Sequence, residues 1–399
     1  MRDASLIMRE ASAKNLPMPI SIPSEFPLTE KCCYLNTAGM GLVPSSAVEA
    51  TRDLYSRHLS AIPYPDLFNE LGEIVEKSRP VVAKWIGARP GEVSFQPNAS
   101  TSQNFVVSMV GAAKGENIVI DDLGFPSGTF PTISQGARGV EVRWVKNRDG
   151  LITAQDYEGV INRKTKLVIV SLVSWVNGLR ADVEEVTKIA HERDALCLVD
   201  STHGTGYIDI DADGWGLDFL ASSNYKWLLS THGSSEFFCA SRHIGRFNPP
   251  HLGWHTAGET NVLSAERLEV ADTVRKFEPG NPDYISIFTL VQSLSSMARY
   301  GRRKITAQTL KLSKMVNLGL RDLGLDVLTP SDDAHASGIT FASARKVSGD
   351  VLEKRLRKLK VFVTARSYHG RSGIRVSPYF YNDEHDISAF LDAVKKIVR

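Results

Sequence analysis

The sequence predicts an α/β fold, with a large domain on a mainly parallel sheet and a smaller C-terminal α+β domain. Three observations carry that expectation. First, six short runs rich in Val, Ile and Leu recur at 117–122 (NIVIDD), 139–146, 166–174, 195–201, 217–223 and 236–241. They are continuously apolar rather than alternating, as strands buried on both faces must be. Second, several are separated by helix-length segments such as 182–194. Third, the rhythm changes near 286, where helical spacing runs through 286–301 and 303–323. Shorter strands near 325–329, 337–342, 360–363 and 373–377 follow, and a last helix covers 383–398. The chain has 399 residues, 42% hydrophobic and 23% charged, enough for a large packed core.

Taken in order, residues 1–30 read as an irregular arm rich in Pro and Ser. Segments 45–59 and 68–87 have helical apolar spacing, and a loop, RPGEVSFQPNAST, leads into a third helix over 102–115. The expected division is an N-terminal segment, 1–44, packing with the small domain, a large domain at 45–285, and a small domain at 286–399.

Composition narrows the function. Net charge is +2 and the basic residues are dispersed, which favours neither nucleic acid nor an anionic membrane as partner. The four cysteines, Cys32, Cys33, Cys197 and Cys239, form no CxxC pair and no metal-ligand spacing. Cys197 and Cys239 sit in apolar runs and read as core; the adjacent pair reads as free thiols, suiting a reducing compartment. The first residues show no signal-peptide core, and no apolar run approaches the ~20 residues that span a bilayer. A soluble, cytoplasmic protein is expected.

The chemistry begins with DFLASSNYKWLL, Asp218–Leu229, where a lysine follows a buried strand and a patch of small polar residues. A lysine there is costly unless its charge is solvated, paired or removed. CLVDSTHG sets Asp200 at the carboxyl end of another apolar strand, with His203 three residues on. Open α/β sheets bind ligands outside the carboxyl ends of their strands, so Asp200, His203, Ser223 and Lys226 are expected to converge. In FQPNASTSQNF, Ala99 to Ser102 opens a helix with small hydroxylated residues, a natural phosphate cradle, although plain capping by Asn98 or Ser100 explains it equally. DDLGFPSGTFP supplies Phe125 as a flat partner after another strand. An amine, a carboxylate, a phosphate cradle and an aromatic face together suit pyridoxal 5'-phosphate. No G-x-G-x-x-G follows the first strand, which speaks against a dinucleotide site.

Matching pieces then run in order from YLNTAGMGLVP (34–44) through NAST, DLGFPS, SWVNGLRADV, VDSTHG, SSNYKW and RKFEPGNPDY to GIRVSPYFYN (373–382). On these the chain resembles fold-type I enzymes of the class V aminotransferase and cysteine desulfurase superfamily, of the isopenicillin N epimerase kind. The resemblance implies an aspartate aminotransferase-like large domain with a mainly parallel, seven-stranded sheet. It implies that Lys226 carries the cofactor as a Schiff base, that Asp200 pairs with the pyridine nitrogen, and that His203 sits near the ring. Phe125 would stack on the ring, while Ser100, Thr101, Ser223 and Tyr225 would hold the phosphate. Arg375 would grip the substrate α-carboxylate. Asn36, Thr37, Trp175 and Arg366 are candidate substrate contacts. Asn177 reads equally as a turn with Gly178; Thr231 and His232 follow the lysine closely enough to face the site, and Trp227 reads as core.

Two departures matter. Relatives carry a threonine that crosses a dimer interface to the phosphate; here Asn281 stands in its place, and a homodimer with active sites near the interface is still expected. Desulfurases of the family carry a cysteine shortly before the carboxylate-binding arginine, and VFVTARSYHGRSGIRVS contains none. The resulting expectation is an enzyme acting on a small L-amino acid through an external aldimine and Cα-proton abstraction. A lyase that eliminates a β-substituent is preferred, with an aminotransferase or an epimerase as alternatives. A non-enzymatic regulator is disfavoured, because Lys226 and Arg375 are both retained and no basic appendage is present.

Overall fold

The computed structural model describes residues 21–60, 62–63, 66–258 and 266–398. Of the arm expected over 1–30, residues 1–20 lie outside the described residues. The rest is not irregular: it forms a helix, Ile22–Glu25, and a 3-10 turn, Pro27–Glu30, each opened by a proline. Proline fits a first helical turn because its missing N–H would have no partner there.

Among the described residues thirteen strands follow in chain order: β1 Cys33–Tyr34, β2 Val93–Gln96, β3 Asn117–Asp121, β4 Glu141–Val145, β5 Thr165–Ser171, β6 Leu196–Asp200, β7 Phe219–Ser223, β8 Ser235–Cys239, β9 Asp326–Val327, β10 Thr340–Ser343, β11 Val361–Phe362, β12 Thr364–Tyr368 and β13 Arg371–Val376. The large sheet is seven-stranded, in the order β2-β8-β7-β6-β5-β3-β4. Only β8 runs against its neighbours β7 and β2, so the sheet is mainly parallel, as expected. Both faces are covered. Val199, Leu220 and Phe238 point into one apolar core, and Leu198, Phe219 and Phe237 into another. Each such side chain contributes about 1.5–3 kcal/mol on leaving water, which is why these runs carry no polar alternation.

The stretch read as a loop at 89–101 contains β2, the edge strand paired with β8. It is only four residues long, between Gly91 and Pro97. The helix expected over 102–115 spans Ala99–Val110 instead, capped by Asn98 and ended by Gly111 in the left-handed region.

The smaller sheet is antiparallel, β12-β13-β10-β9, and β1 pairs in parallel with β11. Leu35, Leu312, Ile374 and Phe390 belong to a separate core behind it. The helix Tyr284–Tyr300 straddles the boundary expected at 285/286, and its Ile287, Leu290 and Leu294 join the core of the large sheet. We propose a division after Tyr300 on that packing. No helix among the described residues is long and apolar enough to cross a membrane.

Candidate active site

The carboxyl ends of β3, β5, β6 and β7 share one edge, and the strand order reverses between β3 and β5. A cleft of about 440 Å³, partly open to solvent, lies there and is lined by residues that include Ser100, Phe125, Asp200, His203, Ser223, Tyr225 and Lys226. The convergence expected from the sequence is therefore present.

Lys226 is 7% exposed, and its Nζ lies 3.3 Å from Nε2 of His203. The same amine sits 5.5 Å from the centre of the Phe125 ring and 5.7 Å from that of Tyr225. On the far side of the imidazole, the indole N–H of the fully buried Trp227 donates to Nδ1 at 3.3 Å. An indole nitrogen only donates, so Nδ1 must accept and the neutral ring carries its proton on Nε2. Nε2–H then needs an acceptor, which an uncharged amine supplies and an ammonium does not. Burial, with Arg375 adding to it, lowers the Lys226 pKa to about 7, while burial and the charge of Lys226 hold His203 well below the ordinary imidazole value. The geometry and the charge environment agree on a neutral pair.

Asp200 lines the same cleft. Its Oδ2 accepts from Nε2 of Gln103 at 2.9 Å and its Oδ1 from the backbone N–H of Thr202 at 3.0 Å. At the start of the helix Ala99–Val110, the hydroxyls of Ser100 and Ser127 lie 2.6 Å apart. Ser223 is buried, with its N–H on the Thr202 hydroxyl. Thr101 differs from expectation. Its N–H and hydroxyl both go to Oδ1 of Asn98, at 2.9 and 3.2 Å, and it does not line the cleft, so here the capping explanation accounts for the side chain. Tyr225 stacks on His232 at 4.1 Å; neither His232 nor Thr231 lines the cleft.

Arg375, on β13, is 2% exposed, and its Nη1 donates to the Trp175 carbonyl at 3.0 Å. Trp175 stands edge-on to Phe125, with ring centres 5.4 Å apart, which links Arg375 to Phe125 through Trp175, although neither Trp175 nor Arg375 lines the cleft itself. Asn36 forms a bridge to Ser377 and accepts from the Thr364 hydroxyl. Thr37 bonds the Tyr381 hydroxyl at 2.6 Å. Between these elements and the lysine runs the loop ending in Gly41, whose N–H donates to the Tyr225 carbonyl at 2.9 Å. A β-carbon on Gly41 would sit 1.9 Å from the Lys226 carbonyl oxygen.

Two candidates fall elsewhere. Asn177 is fully buried, with its side chain bonded to Gly150 O and to the Leu179 N–H, and Gly178 has φ +74°: the turn reading holds. Asn281 is exposed and accepts from the Tyr284 hydroxyl at 3.2 Å. Sequence reasoning missed Gln103, Ser127 and Thr202. Gln103 lies one helical turn beyond Ser100 and so shares its face, which is a usable signal. Ser127 carries none until the helix Pro126–Ser134 is known.

A phosphorylated aromatic aldehyde fits this donor set: an uncharged amine, a carboxylate in the same cleft, an aromatic ring and hydroxyls at a helix start. Comparison with known proteins agrees. Residues 33–390 match the family Aminotransferase class-V. A probable cysteine desulfurase of Pyrococcus abyssi is 26% identical, the match covering 96% of this chain and 98% of the relative. The apo structure of a cysteine desulfurase from Thermococcus onnurineus NA1 superposes with a TM-score of 0.88 at 24% identity, covering 96% of this chain and 99% of that one. The cystine C-S lyase C-DES, in complex with cysteine persulfide, gives 0.85 at 19% identity over 93% and 99%. Both share the fold. The chain belongs to the class V aminotransferase family, and it is a pyridoxal 5'-phosphate-dependent enzyme.

Proposed function

We propose that the enzyme is a lyase that removes the α-proton from a small L-amino acid and expels its β-substituent. The observation that carries the reading is the Trp227–His203–Lys226 chain, which leaves an uncharged amine at the strand end. Lys226 is the base that takes the α-proton, and His203, with its proton on Nε2, is placed to donate beside it. Arg375 grips the α-carboxylate and so orients the Cα–H bond. Asp200, held by Gln103, would pair with the cofactor's ring nitrogen, while Ser100, Ser127 and Ser223 would hold its phosphate and Phe125 its ring. When bound, pyridoxal phosphate withdraws electrons from Cα and so makes that proton removable.

The cysteines support elimination without a protein-bound sulfur carrier. Cys33 is pushed well above the ordinary thiol value by burial and Asp386, and Cys197 and Cys239 are raised to about 12 by burial. The Pyrococcus relative is a probable cysteine desulfurase and C-DES a cystine lyase; elimination from a sulfur-bearing amino acid is the reading closest to both. We also place the enzyme in the cytoplasm as a homodimer, with exposed Asn281 meeting the second copy's phosphate site.

The test adds single L-amino acids to the cofactor-loaded protein with no keto-acid acceptor. Ammonia and pyruvate released over many turnovers are expected. A single stoichiometric conversion of the cofactor to its pyridoxamine form would instead make the enzyme an aminotransferase. Lys226→Ala should abolish the borohydride-reducible link; a variant that still formed it would sink the lysine assignment.

A further inference from the structure

Two guanidinium groups lie on one face of the small sheet, and among the described residues neither is in an ion pair. β12 and β13 are antiparallel, with Arg366 opposite Gly373 and Thr364 opposite Arg375. Arg366 and Arg375 are therefore diagonal neighbours on one face of the sheet, a relationship that spans about 7–8 Å with the β-carbons somewhat closer. Ile374 and Val376, on the other face, belong to the core behind the sheet. Thr364 and Tyr368 mark where the arginine face points: the first bonds Asn36 and the second the Asp122 carbonyl at 3.1 Å, both outside this sheet.

Among the described residues, neither arginine forms an ion pair. Arg375 gives Nη1 to Trp175 O, and Arg366 gives Nη1 to the carbonyl of Ala365 at 3.0 Å. The Nε atom of each is buried and without a partner. The chain's treatment of Arg79 supplies the contrast. That side chain is buried as deeply as Arg375, and both its terminal nitrogens reach the Glu278 carboxylate at 2.7 Å. Both arginines act on the reacting groups, since each lowers the proton affinity of Lys226 and of His203.

Two like charges, Arg375 buried and Arg366 half-buried, diagonal to each other and without an ion pair, are unfavourable until anions arrive. One α-carboxylate satisfies one guanidinium. We infer that the substrate is an L-amino acid whose side chain ends in a second anionic group, Arg375 taking the α-carboxylate and Arg366 the distal anion. This rests on the reading of Arg375 given above.

The experiment measures binding of succinate and butyrate to the cofactor-loaded protein by titration calorimetry. Neither ligand has an amino group, so no reaction intrudes, and both have four carbons. Succinate should bind about tenfold or more tightly than butyrate, the scale of one charge-assisted hydrogen-bonded pair. Arg366→Gln should collapse that ratio towards one, and Arg366→Lys should keep part of it. Equal binding by the wild type overturns the inference. So does an equal loss of both ligands in Arg366→Gln, which would put both guanidiniums on one carboxylate. Arg375→Gln separates the two readings: if butyrate affinity survives it, the α-carboxylate assignment fails whatever Arg366 does. The visible cofactor band and circular dichroism establish that each variant is folded and loaded.

Discussion

Trp227 and His203 are joined by a single hydrogen bond, indole N–H to Nδ1 at 3.3 Å, and that bond decides which imidazole nitrogen faces Lys226. Trp227 is itself immobilised. Its ring packs 4.6 Å from Tyr207 and 5.1 Å from Tyr379, whose hydroxyl holds the Trp227 carbonyl at 2.8 Å. A core residue thereby sets the protonation of the site.

Trp227→Phe tests this. Without the indole donor, Nδ1 is free to carry the proton, Nε2 becomes an acceptor, and a charged Lys226 gains a partner. The pH midpoint for linkage of pyridoxal phosphate to the cofactor-free protein should rise from about 7 towards the ordinary lysine value. The rate of linkage is followed spectroscopically across pH. A midpoint that stays put in a folded variant would remove the tautomer argument.

Gly41→Ala tests positioning of the lysine from the backbone side. The new methyl would overlap the Lys226 carbonyl oxygen and the Leu229 side chain, so the turn must shift. Displacing a reacting group by about an ångström costs on the order of a hundredfold in rate. Turnover should fall on that scale while the melting temperature drops only slightly; equal turnover would show that the turn tolerates the shift.

The cysteines give a third prediction. The pair at Cys32 and Cys33 is shifted up by burial and by Asp386, so neither sulfur is a ready thiolate at neutral pH. The double variant Cys32→Ser/Cys33→Ser should retain turnover, and iodoacetamide should leave the wild type active. Loss of sulfur release in the double variant would restore a persulfide mechanism.

Glu236 gives the fourth. It lies in β8, fully buried, directly opposite Ser222, with neither carboxylate oxygen hydrogen-bonded. Burial raises its pKa from 4.5 to about 8. The folded state therefore holds a proton that the unfolded chain releases above 4.5. The sign follows from linkage: this group's contribution to stability is full below 4.5 and is lost as pH rises towards 8. Glu236→Gln should melt close to the wild type at pH 5 and several degrees above it at pH 8.5. A pH-independent difference between the two would mean that Glu236 does not titrate in this window.

Much of this arrangement was legible in the string because it depends on local pattern. The six apolar runs are strands, and Asp200 ends one of them while Lys226 stands just beyond another, where continuous apolar sequence gives way to small polar residues. What escaped depends on distant partners. β2 is four residues long and exists because β8 lies beside it. Asn177 looked as much like a substrate contact as a turn until Gly150 O was found within its reach. Thr101 offered a hydroxyl that Asn98 already holds. The neighbourhood of Arg366 and Arg375 needs the hairpin register, which spacing along the chain does not reveal.

The thread from β1 to Gly41 also fixes an order of assembly. β1 cannot pair until β11 has been made, Asn36 waits for Ser377, and Gly41 lies between them and Lys226. On the ribosome, the residues from Ser100 to Lys226 emerge well before Arg366 and Arg375 do. A nascent chain can therefore shape the cofactor's end of the cleft while its amino-terminal segment still waits for a partner. The strands that carry Arg366 and Arg375 come last, when residues 33–41 and 361–377 meet around a lysine in the middle of the chain. On the substrate reading proposed above, selectivity is in this sense acquired only when these segments close.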